Sequence, residues 1–264
     1  MLFAGGSAAQ ILPPDEARRR NIVCADAGEA NAQAVAEYAF AMILLVNKRA
    51  RFAEQLYRRR RTHIDREAEL RDTGNYGATV GLVGASRIGR RVASLLVHTD
   101  MKVLVYDPYA TDADIAELGA QKVELDELMT ASDVVSIHAP ETTETHHMIG
   151  ARELDRLRDG GVVVNTARGA LIDHDALLPH LRRGRLEAVL DVTSPEPLPA
   201  DHELWDLENV ILTPHIAGAT GNELRRMGTS IVDEVTRVVS TVQFHTTTRH
   251  ASTSIGAATQ RQSA

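Results

Sequence analysis

The chain has 264 residues, 44% hydrophobic and 25% charged, which suits a soluble globular protein of one large or two modest domains. A net charge of -7 and a pI near 5.9 argue against general attraction to nucleic acid or to an anionic membrane surface. The single cysteine, Cys24, excludes a disulfide framework and a cysteine-rich zinc site, and it fits a reducing, cytoplasmic setting.

The opening stretch MLFAGGSAAQILPP has neither a basic segment nor a long apolar core, so no signal peptide is read there. Cys24 lies in NIVCADAG, a strand-like apolar run that predicts a small buried side chain. Residues 34–46 form the longest apolar run; it is short for a bilayer and carries Glu37. This pattern predicts a helix apolar nearly all round, buried against a partner domain or subunit. The charged stretch YRRRRTHIDREAELRD reads as a solvated helix and linker.

From residue 79 the pattern alternates. Strand-like runs TVGLVG, KVLVYD, DVVSIHAP, GVVVNTA, EAVLDV and NVILTPH are separated mostly by helical stretches, among them 87–97, 151–157 and 173–182. Apolar strands spaced by such helices predict βαβ units and a doubly wound, Rossmann-like α/β sheet. Asp173 is placed to cap the helix that follows it, and Pro179 is expected to kink or divide that helix. A closing helix over 222–239 then runs into a Thr- and Ser-rich end, expected to be disordered from residue 241.

TVGLVGASRIGRR combines a strand, a glycine-rich turn and a helix start. A dinucleotide-binding turn reads G-x-G-x-x-G; here Gly84 and Gly89 keep the first and third positions and Ser86 takes the second. Gly84 makes the tight turn, and Gly89 lets the helix pack on the strand. Serine adds only a small side chain, whose hydroxyl can donate to a phosphate oxygen. Asp107 lies 18 residues beyond Gly89 at the end of the next strand, where a carboxylate would meet the ribose hydroxyls of NAD. The rival reading, Ser86 as a nucleophile, needs G-x-S-x-G and fails because the closing glycine comes one residue late.

Three further strand ends carry chemistry. Arg168 follows VVVNTA, Asp191 and Glu196 lie in LDVTSPEPLP, and His215 lies in LTPHIAG. Singly, these could be a surface ion pair, water-facing carboxylates and a helix cap. Together, at one sheet edge beside a nucleotide turn, they form a candidate site. Adjacent His146 and His147 lack metal-ligand spacing, so they are read as structural and no metal is expected.

The chain resembles the D-isomer-specific 2-hydroxyacid dehydrogenase family. The stretches NAQAVAEYAFAMIL, GLVGASRIGRRV, DVVSIHAPETTETHHMIG, VVVNTARGALID, LDVTSPEPLP and NVILTPHIAG carry the likeness over about residues 31 to 220. The resemblance implies that Arg168 grips the substrate carboxylate, His215 is the acid/base and Glu196 its carboxylate partner. It implies NAD contacts at Gly84, Ser86, Arg87, Ile88, Gly89, Asp107, His138, Thr166, Ala167 and Arg168. Asp191 would hold the nicotinamide carboxamide, with further contacts from His215 to Gly218. It also implies a small 2-hydroxy or 2-keto acid substrate. The helices over 34–46 and 222–239, short of apolar partners, are expected to meet in a homodimer.

Three departures accompany the resemblance: Ser86, Thr193 where an aromatic residue is common, and the short stretch ahead of Asn31. Family members carry a complete substrate-binding lobe there; here about thirty residues precede it. AGGSAAQ resembles the last loop of that lobe, with Gly5, Gly6 and Ser7 facing the substrate carboxylate. The expected division is therefore a truncated substrate lobe (1–30), a Rossmann-like NAD domain (31–217), a returning helix (218–240) and a tail (241–264). The alternative to an active dehydrogenase is an NAD-binding remnant with little turnover.

Overall fold

In the computed structural model, residues 1–71 and 73–241 are described. Of the tail expected to be disordered from residue 241, Thr241 still belongs to a helix and residues 242–264 lie outside the described ones. A short parallel pair opens the chain: β1 (Leu2–Phe3) lies beside β2 (Ala25–Asp26), with helix α1 (Pro14–Arg19) between them. Only Ala25 and Asp26 of the apolar stretch around Cys24 pair as strand, and Cys24 is half-buried rather than buried. Val23 beside it is exposed, because a two-residue strand at the surface offers no second layer to cover it.

Helix α2 (Gly28–Asn47) begins three residues ahead of Asn31, so the expected boundary between residues 30 and 31 falls inside a helix. Its buried positions include Ala32, Val35, Ala36, Ala39 and Ile43, a stripe with helical spacing. Helix α3 (Ala50–Arg60) and the one-turn α4 (Arg66–Glu69) carry the charged stretch, mostly exposed, as its composition predicts.

The body of the chain is a seven-stranded parallel sheet. Its strands and helices follow in the order β3 (Thr79–Val83), α5 (Arg87–Leu96), β4 (Lys102–Tyr106), α6 (Asp112–Ala116), β5 (Gln121–Lys122) and α7 (Leu125–Ala131). The second half runs β6 (Val134–Ile137), α8 (Ala151–Arg156), β7 (Val162–Asn165), α9 (His174–Arg182), β8 (Glu187–Leu190) and β9 (Val210–Leu212). Helix α10 (Leu224–Thr241) closes the described chain.

The sheet order is β5-β4-β3-β6-β7-β8-β9, so the winding reverses between β3 and β6. A ligand crevice belongs at that switch point, beyond the carboxyl ends of the strands. Alternate side chains feed opposite cores. Val80, Leu82, Val134, Val164 and Val189 pack toward α2 and α5. Val83, Val135, Ile137, Val163 and Leu190 pack toward α7, α8 and α9. Two buried faces explain why the strands read as continuous apolar runs.

Asp173 caps α9, its side chain accepting from the backbone N–H groups of Asp175 and Ala176. Pro179 neither divides nor ends α9, which continues to Arg182. A proline at the sixth helical position forfeits one backbone bond, and burial of Leu177, Leu178 and Leu181 offsets that loss. Among the described residues, no helix is long and apolar enough to cross a membrane.

Candidate cofactor and active site

The site grows from the turn between β3 and α5. Gly84 has φ +102, and a Cβ there would lie 2.7 Å from the backbone nitrogen of Ala139. Gly89 approaches so closely that a Cβ would meet the Gly84 carbonyl oxygen at 2.0 Å. Both glycines are therefore required by backbone contacts beneath the cleft. Ser86 is the N-cap of α5, its Oγ accepting from the Gly89 N–H at 3.3 Å. Its presence at the second glycine position is thus explained by helix capping, which uses the hydroxyl oxygen as acceptor and leaves its proton to donate elsewhere.

A cleft of about 1190 Å³ opens above this turn. From the predicted site it is lined by Ser86, Arg87 and Ile88, by His138, by Thr166 to Arg168, and by His215 and Gly218. Gly6 and Ser7 line its other wall, while Gly5 does not reach it and ties its carbonyl to the Ala27 N–H instead. His138 is buried, its Nε2 is 3.0 Å from Ser136 Oγ, and burial pushes its pKa down to about 4. His146, read from sequence as structural, lines the cleft and stacks on His147 with ring centroids 4.0 Å apart.

His215 stands at φ +55, an uncommon backbone state for a side chain of its size, in the loop after β9. Its Nδ1–H donates to Glu196 Oε1 at 2.7 Å, which leaves Nε2 as the free ring nitrogen. Asp191 holds this loop. It is 1% exposed, and its carboxylate accepts from Thr213 Oγ1 at 2.6 Å and from the N–H groups of Ile216 and Ala217 at 2.8 Å. Its place is beneath the cleft wall, as the anchor of the His215 loop.

Arg168 follows β7 in a loop laced to Asn165. The Asn165 amide donates to the Arg168 carbonyl at 2.8 Å and accepts from the Ala167 N–H at 3.0 Å. One guanidinium nitrogen of Arg168 donates to the Ala167 carbonyl at 2.6 Å, and the remaining donors are available to a carboxylate. Asp107 is saturated more heavily than its predicted role suggested. Oδ2 accepts from the Ala85 N–H at 2.7 Å, and Oδ1 from those of Tyr109 and Ala110 at 2.8 and 3.0 Å.

Sequence reasoning did not single out several residues that build the site. Asn31 lines the cleft, and its Oδ1 accepts from the Ala219 N–H at 2.8 Å. Tyr38 Oη lies 2.8 Å from Thr213 Oγ1, which ties α2 to the Asp191–His215 loop. Among the described residues, no group of three or more His, Cys, Asp or Glu side chains could hold a metal ion.

The family described as D-isomer specific 2-hydroxyacid dehydrogenase, NAD binding domain, matches residues 40–217. D-3-phosphoglycerate dehydrogenase of Mycobacterium leprae is 34% identical over 222 residues, covering 84% of this chain and 41% of that protein. Glyoxylate reductase of Korarchaeum cryptofilum is 35% identical over 222 residues, covering 83% of this chain and 67% of that protein. The structure of D-lactate dehydrogenase from Aquifex aeolicus complexed with NAD and lactic acid superposes with a TM-score of 0.71 at 34% identity. That likeness covers 86% of this chain and 72% of the other. The chain thus spans about two fifths of the length of the phosphoglycerate dehydrogenases it matches. Its parallel sheet, its switch-point cleft and the match over residues 40–217 place it in the D-isomer specific 2-hydroxyacid dehydrogenase family, of which it carries the NAD-binding domain.

Proposed function

We propose that the chain is an NAD-dependent dehydrogenase moving a hydride between nicotinamide and a small D-2-hydroxy or 2-keto acid. One observation carries this reading: Arg168 and His215, the latter bonded to Glu196, line the cleft into which the N-terminus of α5 opens. The residues fit a dinucleotide. Thr166 Oγ1 is buried with no partner among the described residues, an orphan donor in the cleft wall. The close glycine packing brings the backbone to the cleft floor, and the Arg87 and Ile88 amides at the start of α5 are left to meet a pyrophosphate, that of Gly89 being taken by Ser86.

Bound there, NAD supplies the hydride acceptor and NADH the donor. In the oxidative direction, Arg168 takes the substrate carboxylate with parallel hydrogen bonds and sets the face that meets the cofactor. His215 Nε2 accepts the hydroxyl proton, and Glu196 stabilises the imidazolium that results. In reduction the same nitrogen returns its proton to the keto oxygen. His138, neutral at ordinary pH, supports the cleft wall without adding charge.

The reading prefers NAD to NADP because the Asp107 carboxylate repels a 2′-phosphate. Apolar side chains exposed on α2 and α10, such as Leu45, Val232 and Val235, support a homodimer. A second reading, a cofactor-binding domain with little turnover, is favoured by the exposure of His215 and Glu196, whose side chains are 47% and 42% open. An acid/base pair in water gains less from charge complementarity than one shut away from it. NADH oxidation with glyoxylate, pyruvate, hydroxypyruvate and phosphohydroxypyruvate separates the two. Turnover supports the dehydrogenase, and binding without turnover supports the second reading.

A further inference from the structure

Both backbone polar groups of Ala85, a residue buried at the floor of the turn, are held by side chains. Its N–H donates to Asp107 Oδ2 at 2.7 Å, and its carbonyl accepts from Arg90 Nε at 2.9 Å. Arg90 sits one turn into α5, so this bond reaches back over the N-cap of its own helix. Asp107 in turn is anchored by the amides of Tyr109 and Ala110, beyond the end of β4. The backbone of one residue, through the two peptides that flank it, therefore joins the end of β4, the turn and α5.

Such a double hold has a physical purpose. Gly84 sits at φ +102 and permits backbone states closed to other residues, so the peptides that follow it, on either side of Ala85, are the natural place for the turn to flex. Rotation of either peptide would swing the following amides away from a ligand. Ser86 secures only the helix side, through Gly89.

We infer that Arg90 is a positioning residue for the pyrophosphate half of the cofactor. Its Nε–H to the Ala85 carbonyl, opposed by Asp107 on the Ala85 N–H, presets the turn so that the first amides of α5 and Arg87 meet the ligand already aligned. The inference rests on the dinucleotide reading of the cleft. It assigns the effect to one hydrogen bond and not to the charge of Arg90.

Glutamine tests that distinction, because its Nε2 occupies the same place along the side chain as arginine Nε, without the charge. Methionine matches the length and offers no donor. Binding of NADH by fluorescence, and amide hydrogen exchange at Ala85 with Val189 in the sheet as reference, are the readouts. Arg90→Met should weaken NADH by up to about tenfold, the upper range of the net worth of one hydrogen bond. It should also speed exchange at Ala85 while Val189 keeps its protection. Arg90→Gln should restore most of the affinity and the Ala85 protection. Equal losses in the two variants would overturn the inference in favour of charge, and an unchanged Arg90→Met would overturn it outright. Faster exchange at Val189 as well would reduce Arg90 to a general stabiliser and equally overturn it. Failure of the wild-type chain to bind NADH would instead remove the dinucleotide reading beneath it.

Discussion

His215 donates through Nδ1 to Glu196 Oε1 at 2.7 Å, and the two residues come from loops after neighbouring strands β8 and β9. That bond sets the imidazole's tautomer and leaves Nε2 to work on the substrate. Glu196→Gln keeps a side chain of the same size but removes the negative charge that balances the imidazolium. The expected outcome is a loss of about 10²-fold or more in kcat with NADH affinity retained, measured by steady-state kinetics and fluorescence titration. A variant with unimpaired kcat would leave Glu196 without a role in the proton transfer.

Asp107, just past the end of β4, spends lone pairs on three backbone amides. NADH should bind more tightly than NADPH. Asp107→Ser should narrow that gap and also weaken NADH, because the Ala85 N–H loses its acceptor. Tighter binding of NADPH by the wild-type chain would contradict the assignment.

Gly84→Ala places a methyl group 2.7 Å from the Ala139 nitrogen, at a φ of +102 that alanine adopts only under strain. We expect a stability loss of at least ~2 kcal/mol and loss of cofactor binding, read by denaturant melts and NADH titration. An alanine variant that melts and binds like wild type would show that the turn has room to relax.

The turn itself was legible because its constraints are local. A strand, two glycines five residues apart and a helix start follow one another within TVGLVGASRIGRR. Ser86 was legible as a tolerated residue but not at first as a cap, although a serine directly ahead of a helical stretch is the usual N-terminal signal. The strands were legible from apolar runs, since both sheet faces are covered. What stayed hidden depends on residues far apart in the chain. Asn31 meets Ala219, Tyr38 meets Thr213, and Asp191 is enclosed by the loop it organises. Such contacts leave no period in the sequence. Pro179 misled for the complementary reason: a local helix-breaking rule gave way to the burial of its apolar neighbours.

Acid should destabilise the fold before its carboxylates titrate. Burial holds the His138 pKa at about 4 and lowers that of His174. The unfolded chain takes up these protons near pH 6.5, so the stability is complete above that pH. It is lost progressively as the pH falls toward the folded value, by on the order of 3 kcal/mol for His138. Urea midpoints between pH 7.5 and 4.5 should fall, and His138→Gln should flatten the slope. A midpoint independent of pH across that range would contradict a buried neutral His138.

The central claim is that the cleft above β3 and α5 holds NADH while His215 exchanges the proton. The direct measurement is single-turnover oxidation of NADH by the purified chain with a 2-keto acid, beside the His215→Ala variant. The account predicts saturable NADH binding in both proteins. It predicts slow but measurable oxidation in the wild type, cut by about 10²–10⁴-fold in the variant. NADH binding lost on replacing His215, or oxidation that proceeds equally well without it, would contradict the account.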